Sequence, residues 1–247
     1  MTERTEDSQA GALRAFTLLS ALRQNWAGAL IVCCGLGPGG SALSFAANIA
    51  GAGCLAIDAR PDVCRAALRS GACDFVVNTV DEALRVLKNE IRQRRPVSVG
   101  LTLDSTAALD ELVDRGVLPE LFVVFRNDAD AVVPATATWD RALQAFEPLG
   151  TVIADLDRSS SGVEGVLDAR TQLENFTKER NLTLEAFPFD STEELRAFDS
   201  KLLQIIPAAD PRHRWCAAAP RIFHRERPYR RLVFLTGAER EQAIQLK

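Results

Sequence analysis

The stretch Leu30-Ile31-Val32-Cys33-Cys34-Gly35-Leu36-Gly37-Pro38-Gly39-Gly40 is an apolar run that ends abruptly in glycines. It predicts a buried strand that leads into a tight turn. The glycines follow the spacing Gly35-x-Gly37-x-x-Gly40, and the small residues of 41–50 favour a helix packed closely on a sheet. A second apolar run ends in Asp58, 23 residues after Gly35. Together these features indicate a dinucleotide-binding turn.

The chemistry of this turn suits a phosphate-bearing ligand. The free N–H groups of the first helical turn face the pyrophosphate, and residues without side chains let it approach. Gly35 permits the tight turn, Gly37 the close approach and Gly40 the contact between helix and strand. Asp58 is placed to accept hydrogen bonds from a ribose diol, which favours NAD over NADP. Arg60, two residues later, is suited to accept a 2′-phosphate instead.

Length and composition exclude several classes of protein. The 247 residues, 47% hydrophobic and 25% charged, fit one large globular unit with an appendage. A net charge of −4 gives no basic field for nucleic acid. No apolar run reaches the roughly 18 residues that span a bilayer, and no secretion signal opens the chain, so we expect no membrane contact and a cytoplasmic location. The six cysteines are expected to be reduced and buried.

The order of elements predicts an α/β fold, Rossmann-like and doubly wound, with a mainly parallel sheet and helices on both faces. Periodicity predicts strands at 30–34, 53–58, 74–77, 97–101, 121–125, 150–155, 182–187 and 231–235. Helices are predicted at 11–26, 40–51, 61–68, 79–94, 105–115, 138–147, 163–180, 191–204, from 213 onward and at 238–247. We expect a flexible N-terminus at 1–10, a nucleotide-binding domain at 11–206 and a C-terminal extension at 207–247.

Longer phrases resemble urocanate hydratase (urocanase). They are the glycine turn, Ile49-Ala50-Gly51-Ala52-x-Cys54-Leu55-Ala56-Ile57-Asp58, Val80-Asp81-Glu82-Ala83-Leu84, Pro96-Val97-Ser98-Val99-Gly100-Leu101 and Glu111-Leu112-Val113-Asp114-Arg115-Gly116-Val117-Leu118-Pro119. The resemblance covers about 11–130. A weaker match at about 210–240 includes Arg214-Trp215 and the segment ending Phe234-Leu235-x-x-x-Glu239-Arg240.

The resemblance implies a specific cofactor and reaction. Urocanases are lyases of histidine degradation that use NAD⁺ as an electrophile toward the imidazole ring of urocanate, so that water adds across the side chain. By this resemblance Pro38, Gly39 and Gly40 form the cofactor-phosphate turn and Asp58 is the ribose acid. Asp104 takes the place of an asparagine beside the cofactor.

Three departures limit the carry-over. The family's glutamine-threonine-serine-alanine-histidine segment corresponds to Phe125-Arg126-Asn127-Asp128-Ala129, and its motif cysteine falls at Val233. Family chains are about twice as long, so we expect the catalytic core domain to be absent. We therefore predict no catalytic residue and no metal site. The leading expectation is a urocanase-like NAD(H)-binding protein without complete hydratase activity on its own.

Three alternatives stay open. A partner could supply the missing core and complete a urocanate hydratase, which makes a protein partner or self-association an expectation. The same glycines, with Asp58 and Asp74, also resemble S-adenosylmethionine-dependent methyltransferases, although those enzymes usually carry an acid where this chain has Cys33-Cys34. The chain could also be a non-catalytic structural or interaction module. His224, among the arginines of 221–231, belongs to an anion-binding patch or to a solvated tail.

Overall fold

The fold is described from a computed structural model, which covers residues 8–125, 136–155 and 166–246. Most of the segment expected to be a flexible N-terminus, residues 1–7, lies outside these ranges. So do 126–129, which are most of the segment 125–129 that the resemblance aligns with the family's cofactor-contacting residues. None of the helices within the described ranges is long and apolar enough to cross a bilayer.

A parallel sheet of seven strands forms the centre of the described fold, in the order β3-β4-β2-β1-β5-β6-β7. The strands are β1 (Leu30–Cys34), β2 (Gly53–Ile57), β3 (Phe75–Val77), β4 (Val97–Leu101), β5 (Leu121–Val124), β6 (Val152–Asp155) and β7 (Val166–Asp168). The chain moves outward from β1 on one side, then crosses back to β5 on the other. Neighbouring β1 and β5 therefore form the switch point at which α/β sheets bind ligands.

Helices cover both faces of this sheet, which confirms the predicted doubly wound α/β fold. One face carries α2 (Pro38–Ala50) and α3 (Pro61–Ser70), and the other carries α4 (Val80–Arg92), α5 (Ser105–Asp114) and α6 (Thr136–Phe146). Successive residues of the buried strand β1 pack on opposite faces of the sheet. Ile31 and Cys33 pack toward α2, whereas Val32 packs toward α5 and α6.

A further layer packs on the α2 face. It contains α1 (Ser8–Leu22), α7 (Ala169–Glu179), β8 (Thr183–Pro188), α8 (Thr192–Ile205), α9 (Pro211–Ile222), β9 (Arg230–Leu235) and α10 (Gly237–Gln245). β8 and β9 pair antiparallel as a separate two-stranded sheet. Trp215 of α9 is fully buried in this layer, and its indole N–H donates to the Leu232 carbonyl at 2.8 Å. This layer lies over the helices on one face of the parallel sheet.

Two expectations about elements were wrong in part. The segment predicted as one helix over 163–180 contains the strand β7 before α7 begins at Ala169. A strand of three residues is too short for alternation to distinguish it from the first turn of a helix. The strand predicted at 182–187 exists as β8, but it does not continue the parallel sheet. Its partner is β9, and sequence periodicity carries no information about partners.

The start of the chain is tied to its end. The Gln9 side chain is fully buried: its carbonyl oxygen accepts from the Leu232 N–H at 2.7 Å, and its amide donates to the Glu226 carboxylate at 2.8 Å. Nearby, Arg231 is paired with Asp199, both side chains being at most 6% exposed. β8 and β9 stand on opposite sides of the expected boundary between 206 and 207, and that division stays a prediction.

Candidate functional site

The glycine turn lies where β1 ends. Gly35 has φ +99°, a conformation that favours glycine, and its N–H donates to the Ile57 carbonyl at 2.7 Å. A Cβ atom at Gly40 would lie 2.1 Å from the Gly35 carbonyl oxygen. The first turn of α2 therefore sits against the backbone of the turn itself. This close approach requires glycine at position 40.

The N-terminus of α2 presents donors at the same place. Gly37 is the N-cap and Pro38, which has no N–H, is the first helical residue. The N–H groups of Gly39 and Gly40 have no hydrogen-bond acceptor within the part of the chain that the structure describes. Such donors at the start of a helix, together with the helix dipole, favour an anion.

Phe125 closes one side of the turn. It follows β5 directly, is 5% exposed, and its ring atom Cδ1 would lie 2.8 Å from a Cβ at Gly39. The parallel pairing of β1 with β5 places this ring there. Phe125 supplies an apolar wall, whereas the family's segment begins with an amide. Its contact with the turn could not be read from local sequence, because it depends on strand order.

Asp58 follows β2 and is engaged on both oxygens. Oδ2 accepts from the Leu36 N–H at 2.9 Å and from Arg60 Nη2 at 2.8 Å, and Oδ1 accepts from the Arg60 N–H and Nε. Burial acts to raise the pKa of Asp58, but the hydrogen bonds from Arg60 and Leu36 outweigh it, so this pKa lies below its ordinary value. The predicted ribose acid thus holds the glycine turn and a neighbouring guanidinium.

Asp104 lies at the same edge of the sheet, beyond β4. It is exposed and is the N-cap of α5, where its Oδ1 accepts from the Ala107 N–H at 3.1 Å. Burial, with a smaller effect of the Asp104 carboxylate, raises the pKa of the Cys34 thiol. The expected place of Asp104 beside a cofactor stays a prediction.

Two cavities flank the first turn of α2. The larger, about 490 Å³, lies between α1, α7 and the turn, and Arg14, Arg170, Gly39 and Phe125 are among its lining residues. The smaller, about 380 Å³, lies between α3 and the end of α9, with Arg69, His224 and Arg225 at its wall. Both volumes fall in the range of small-molecule sites. Both cavities carry cationic side chains beside the predicted phosphate turn.

Sequence reasoning missed Arg14. It is the one charged residue between Ser8 and Leu22, and it is exposed on a helix whose other face is buried. A single charge in an apolar helix is a usable signal. Its place in the wall of the cavity that Gly39 also lines, however, depends on the packing of α1 against α2, which no local pattern predicts.

Asp74, the second acid of the methyltransferase alternative, lies elsewhere. Its Oδ2 accepts from the Ser98 N–H at 2.8 Å, beside the first residues of β4, and from the Asn48 amide near the C-terminal end of α2. These contacts place Asp74 at the amino edge of the sheet, opposite the glycine turn. The geometry therefore gives Asp74 no part in a ligand site there.

The tail residues that resemble urocanase serve packing. Arg214 donates to the Ala50 carbonyl at 3.2 Å, which ties α9 to the end of α2. Val233, at the position of the family's cysteine, is fully buried in β9. Glu239 completes a capping box with Thr236 and pairs with Arg212. The described residues contain no group of three or more His, Cys, Asp or Glu placed to hold a metal.

Comparison with known proteins finds a similarity to one family in the first part of the chain. The profile of the urocanase Rossmann-like domain matches residues 12–129. This segment is therefore similar to that domain. The match covers β1 to β5, the glycine turn and Asp58, so the urocanase-like segment contains the switch point, while α7 and the end of α9, outside the match, supply other walls of the two cavities.

Solved structures resemble the chain only at the level of the fold. An enoyl reductase domain of a polyketide synthase has 17% sequence identity and a TM-score of 0.42, over 70% of this chain and 86% of that one. A short chain alcohol dehydrogenase from E. coli CFT073, complexed with NADH, has 17% identity and a TM-score of 0.36. AibC has 15% identity and a TM-score of 0.35. The chain covers 43% and 42% of the last two.

Proposed function

We propose that the urocanase-like segment binds a nicotinamide dinucleotide across the glycine turn. The observation that carries the proposal is the pair of N–H groups on Gly39 and Gly40, held against the switch point by a contact that only glycine permits. The family's cofactor, NAD, is the dinucleotide that the resemblance implies. When bound, it would supply an electrophilic nicotinamide ring.

The residues present have distinct roles in this proposal. Gly39 and Gly40 donate to the pyrophosphate, and Gly35 and Gly37 leave room for it. Arg14 lines the same cavity as Gly39 and adds a positive charge there. Asp58 fixes the turn through the Leu36 N–H, and Asp104, which follows β4 as the N-cap of α5, is the predicted neighbour of the cofactor.

Hydration of urocanate by this chain alone is not part of the proposal. A valine replaces the family's cysteine and is fully buried, and the apolar ring of Phe125 covers one side of the turn. Neither side chain moves a proton or acts as a nucleophile. We propose a binding module, alone or with a protein partner.

Calorimetry at 25 °C with NAD⁺, NADH, NADP⁺, NADPH and S-adenosylmethionine tests the proposal. We expect at least one dinucleotide to bind and S-adenosylmethionine not to bind. Arg14→Ala should weaken the dinucleotide about tenfold or more, since a charge-assisted hydrogen bond contributes about 1.5–3 kcal/mol. Arg65→Ala, on the exposed side of α3, is the matched control and should change nothing. If the folded protein binds none of these ligands, the proposal is wrong and the alternative of a structural module remains.

A further inference from the structure

We propose that the smaller of the two cavities is a second ligand site, which takes a small organic anion with an apolar ring. This site is separate from the dinucleotide site at the glycine turn and goes beyond the proposed function. The cavity, of about 380 Å³, lies where the end of α3, the first turns of α2 and the segment after α9 meet. Its volume is at the lower end of the range for small-molecule sites.

Two arginines at the wall of this cavity carry a positive charge that the protein itself does not pair. Arg69 comes from the last turn of α3, and Arg225 from the segment that follows α9. Both residues are exposed, and neither guanidinium has an ion-pair or hydrogen-bond partner among residues 8–125, 136–155 and 166–246. Cations from two separate elements thus line one cavity. The oxygens of a carboxylate or a phosphate match the planar guanidinium.

Glu226 is an acidic residue at the same wall, and its charge is already engaged. Its Oε1 accepts from Ser8 Oγ at 2.9 Å, and its Oε2 accepts from the Gln9 amide at 2.8 Å. Arg230 Nη2 lies 4.0 Å from Oε1. These contacts tie the segment after α9 to the start of α1 and hold it beside the cavity. The positive charge of the two unpaired arginines is therefore left in excess there.

The buried part of the cavity wall is apolar. Phe45 of α2 and Phe223 are its aromatic lining residues, both at most 8% exposed, with ring centroids 5.6 Å apart. The His224 ring also lines the cavity, and its Nδ1 donates to the Arg221 carbonyl at 2.7 Å. A ring on the ligand would bury apolar area against the phenylalanines, while its anionic group meets the exposed arginines. This arrangement favours an organic anion over a free inorganic one.

The contact between α1 and α2 separates this cavity from the larger one. Gly11 and Ala42 line both cavities, and a Cβ at Gly11 would lie 3.2 Å from the Cβ of Ala42. The two helices therefore touch at this point, with a cavity on either side of the contact. Gly39 lines the larger cavity, whereas Arg69 and Arg225 line the smaller one. We therefore expect the anion and the dinucleotide to bind independently.

NMR titration of the ¹⁵N-labelled full chain at fixed salt tests the proposal. The probes are phenyl phosphate and benzoate, with inorganic phosphate and benzyl alcohol as probes of the anion and the ring alone. We expect at least one of the two ring-bearing anions to shift the amide resonances of 69–71 and 223–226. That anion should bind at least about fivefold tighter than inorganic phosphate or benzyl alcohol. The tighter of phenyl phosphate and benzoate identifies the anionic group that the site prefers.

A pair of double variants tests the role of the arginines. Arg69→Ala combined with Arg225→Ala should weaken the tighter probe about tenfold or more, since hydrogen bonds to charged groups are lost. Arg65→Ala combined with Arg221→Ala removes the same charge from exposed positions outside the cavity wall. This control should change the affinity by no more than about twofold, because salt screens exposed charges at a distance. An equal loss of affinity in both double variants overturns the inference.

Saturation with NAD⁺ separates this inference from the proposed function. We expect NAD⁺ to change the affinity for the tighter probe by no more than about twofold. Displacement of the probe by NAD⁺ overturns the inference and leaves dinucleotide binding intact, because the smaller cavity would then belong to the dinucleotide site. The inference is also wrong if no probe shifts 69–71 and 223–226, or if inorganic phosphate binds as tightly as the ring-bearing anions. If NAD⁺ does not bind, the proposed function fails, and the titration of the free protein still decides this inference.

Discussion

At the scale of single residues, Gly40 and Asp58 fix the geometry of the turn. Gly40 allows α2 to rest on the Gly35 carbonyl, and Asp58 holds the Leu36 N–H from the neighbouring strand. Gly40 acts because it has no side chain, whereas Asp58 acts because both of its carboxylate oxygens accept hydrogen bonds. Both features fix the position of the backbone N–H groups that the proposed site would offer to a phosphate.

Replacing Gly40 with alanine tests the close approach. The new Cβ would lie 2.1 Å from the Gly35 carbonyl oxygen, so the turn and α2 must separate. Overpacking of this kind costs about 1–3 kcal/mol, and we expect that loss in urea denaturation together with loss of dinucleotide binding. Gly237→Ala is the control, since its Cβ meets nothing within 4 Å and lies in a helix. If Gly40→Ala were as stable as the wild type, the turn could move away from the new Cβ at no cost, and the close approach would not require glycine.

Sequence reasoning reached the turn but only part of the site. Gly35 to Gly40 predict their own geometry because the constraint is local. The roles of Asp58 and Phe125 depend on side-chain direction and on strand neighbours far away in the chain. An acid followed two residues later by an arginine is compatible with an open ribose site or a closed ion pair, and only the rotamer of Arg60 distinguishes them.

At the scale of elements, local patterns predicted the helices and strands better than their pairing. β1, β2, β4 and β5 are runs of apolar residues bounded by turns, and they lie within a residue of the predicted ranges. β7 was hidden in an expected helix, and β8 joined an unexpected sheet. A strand's partner is chosen by tertiary packing, and its own residues do not encode that choice.

Ion pairs and hydrogen bonds of one arginine connect α9 with β9 and α10. Arg212, at the start of α9, pairs with Asp210 and with Glu239 of α10, and its guanidinium also donates to the Phe234 carbonyl. Burial acts to raise the pKa of Glu239, but the hydrogen bonds from Arg212 and Thr236 outweigh it and hold this pKa below its ordinary value. The unfolded chain therefore binds protons at a higher pH than the folded one.

This arrangement predicts how stability depends on pH. The contribution of Glu239 is fully present above its ordinary pKa of 4.5 and is lost as pH falls through the lower pKa of the folded state. Glu239→Gln should cost about 1.5–3 kcal/mol at pH 7 and show a shallower loss of stability below pH 4.5, measured by urea midpoints. Glu174→Gln, which breaks an exposed pair with Arg170, should cost at most about 0.5 kcal/mol. If the stability of Glu239→Gln and that of the wild type fell equally steeply below pH 4.5, this assignment would be contradicted.

At the scale of the whole molecule, the C-terminal elements complete the layer over α2. Phe16 of α1 and Phe223, which follows α9, both lie against the Trp215 ring, with centroids 6.0 and 5.6 Å away. β9 supplies the partner of β8 across the boundary expected at 206. The urocanase-like segment thus shares its core with residues far beyond the matched region.

Deleting 207–247 tests whether 11–206 stands alone. The shortened chain would expose the apolar surface around Phe16 and leave β8 without its partner. We expect it to bind the dye ANS and to precipitate at concentrations where the full chain stays in solution. We also expect that it no longer unfolds in urea in a single cooperative transition. A cooperative transition at the wild-type midpoint would establish 11–206 as an autonomous domain.

The link between Gln9 and Leu232 has a consequence for synthesis on the ribosome. The two residues are 223 positions apart, and a ribosome adding about 5–20 residues per second needs on the order of ten to forty seconds to cover that distance. During this interval α1 has emerged and found α2, but the strand that caps its first turn has not been made. α1 therefore stays partly uncovered throughout this interval, and its apolar side is where a chaperone has most to protect.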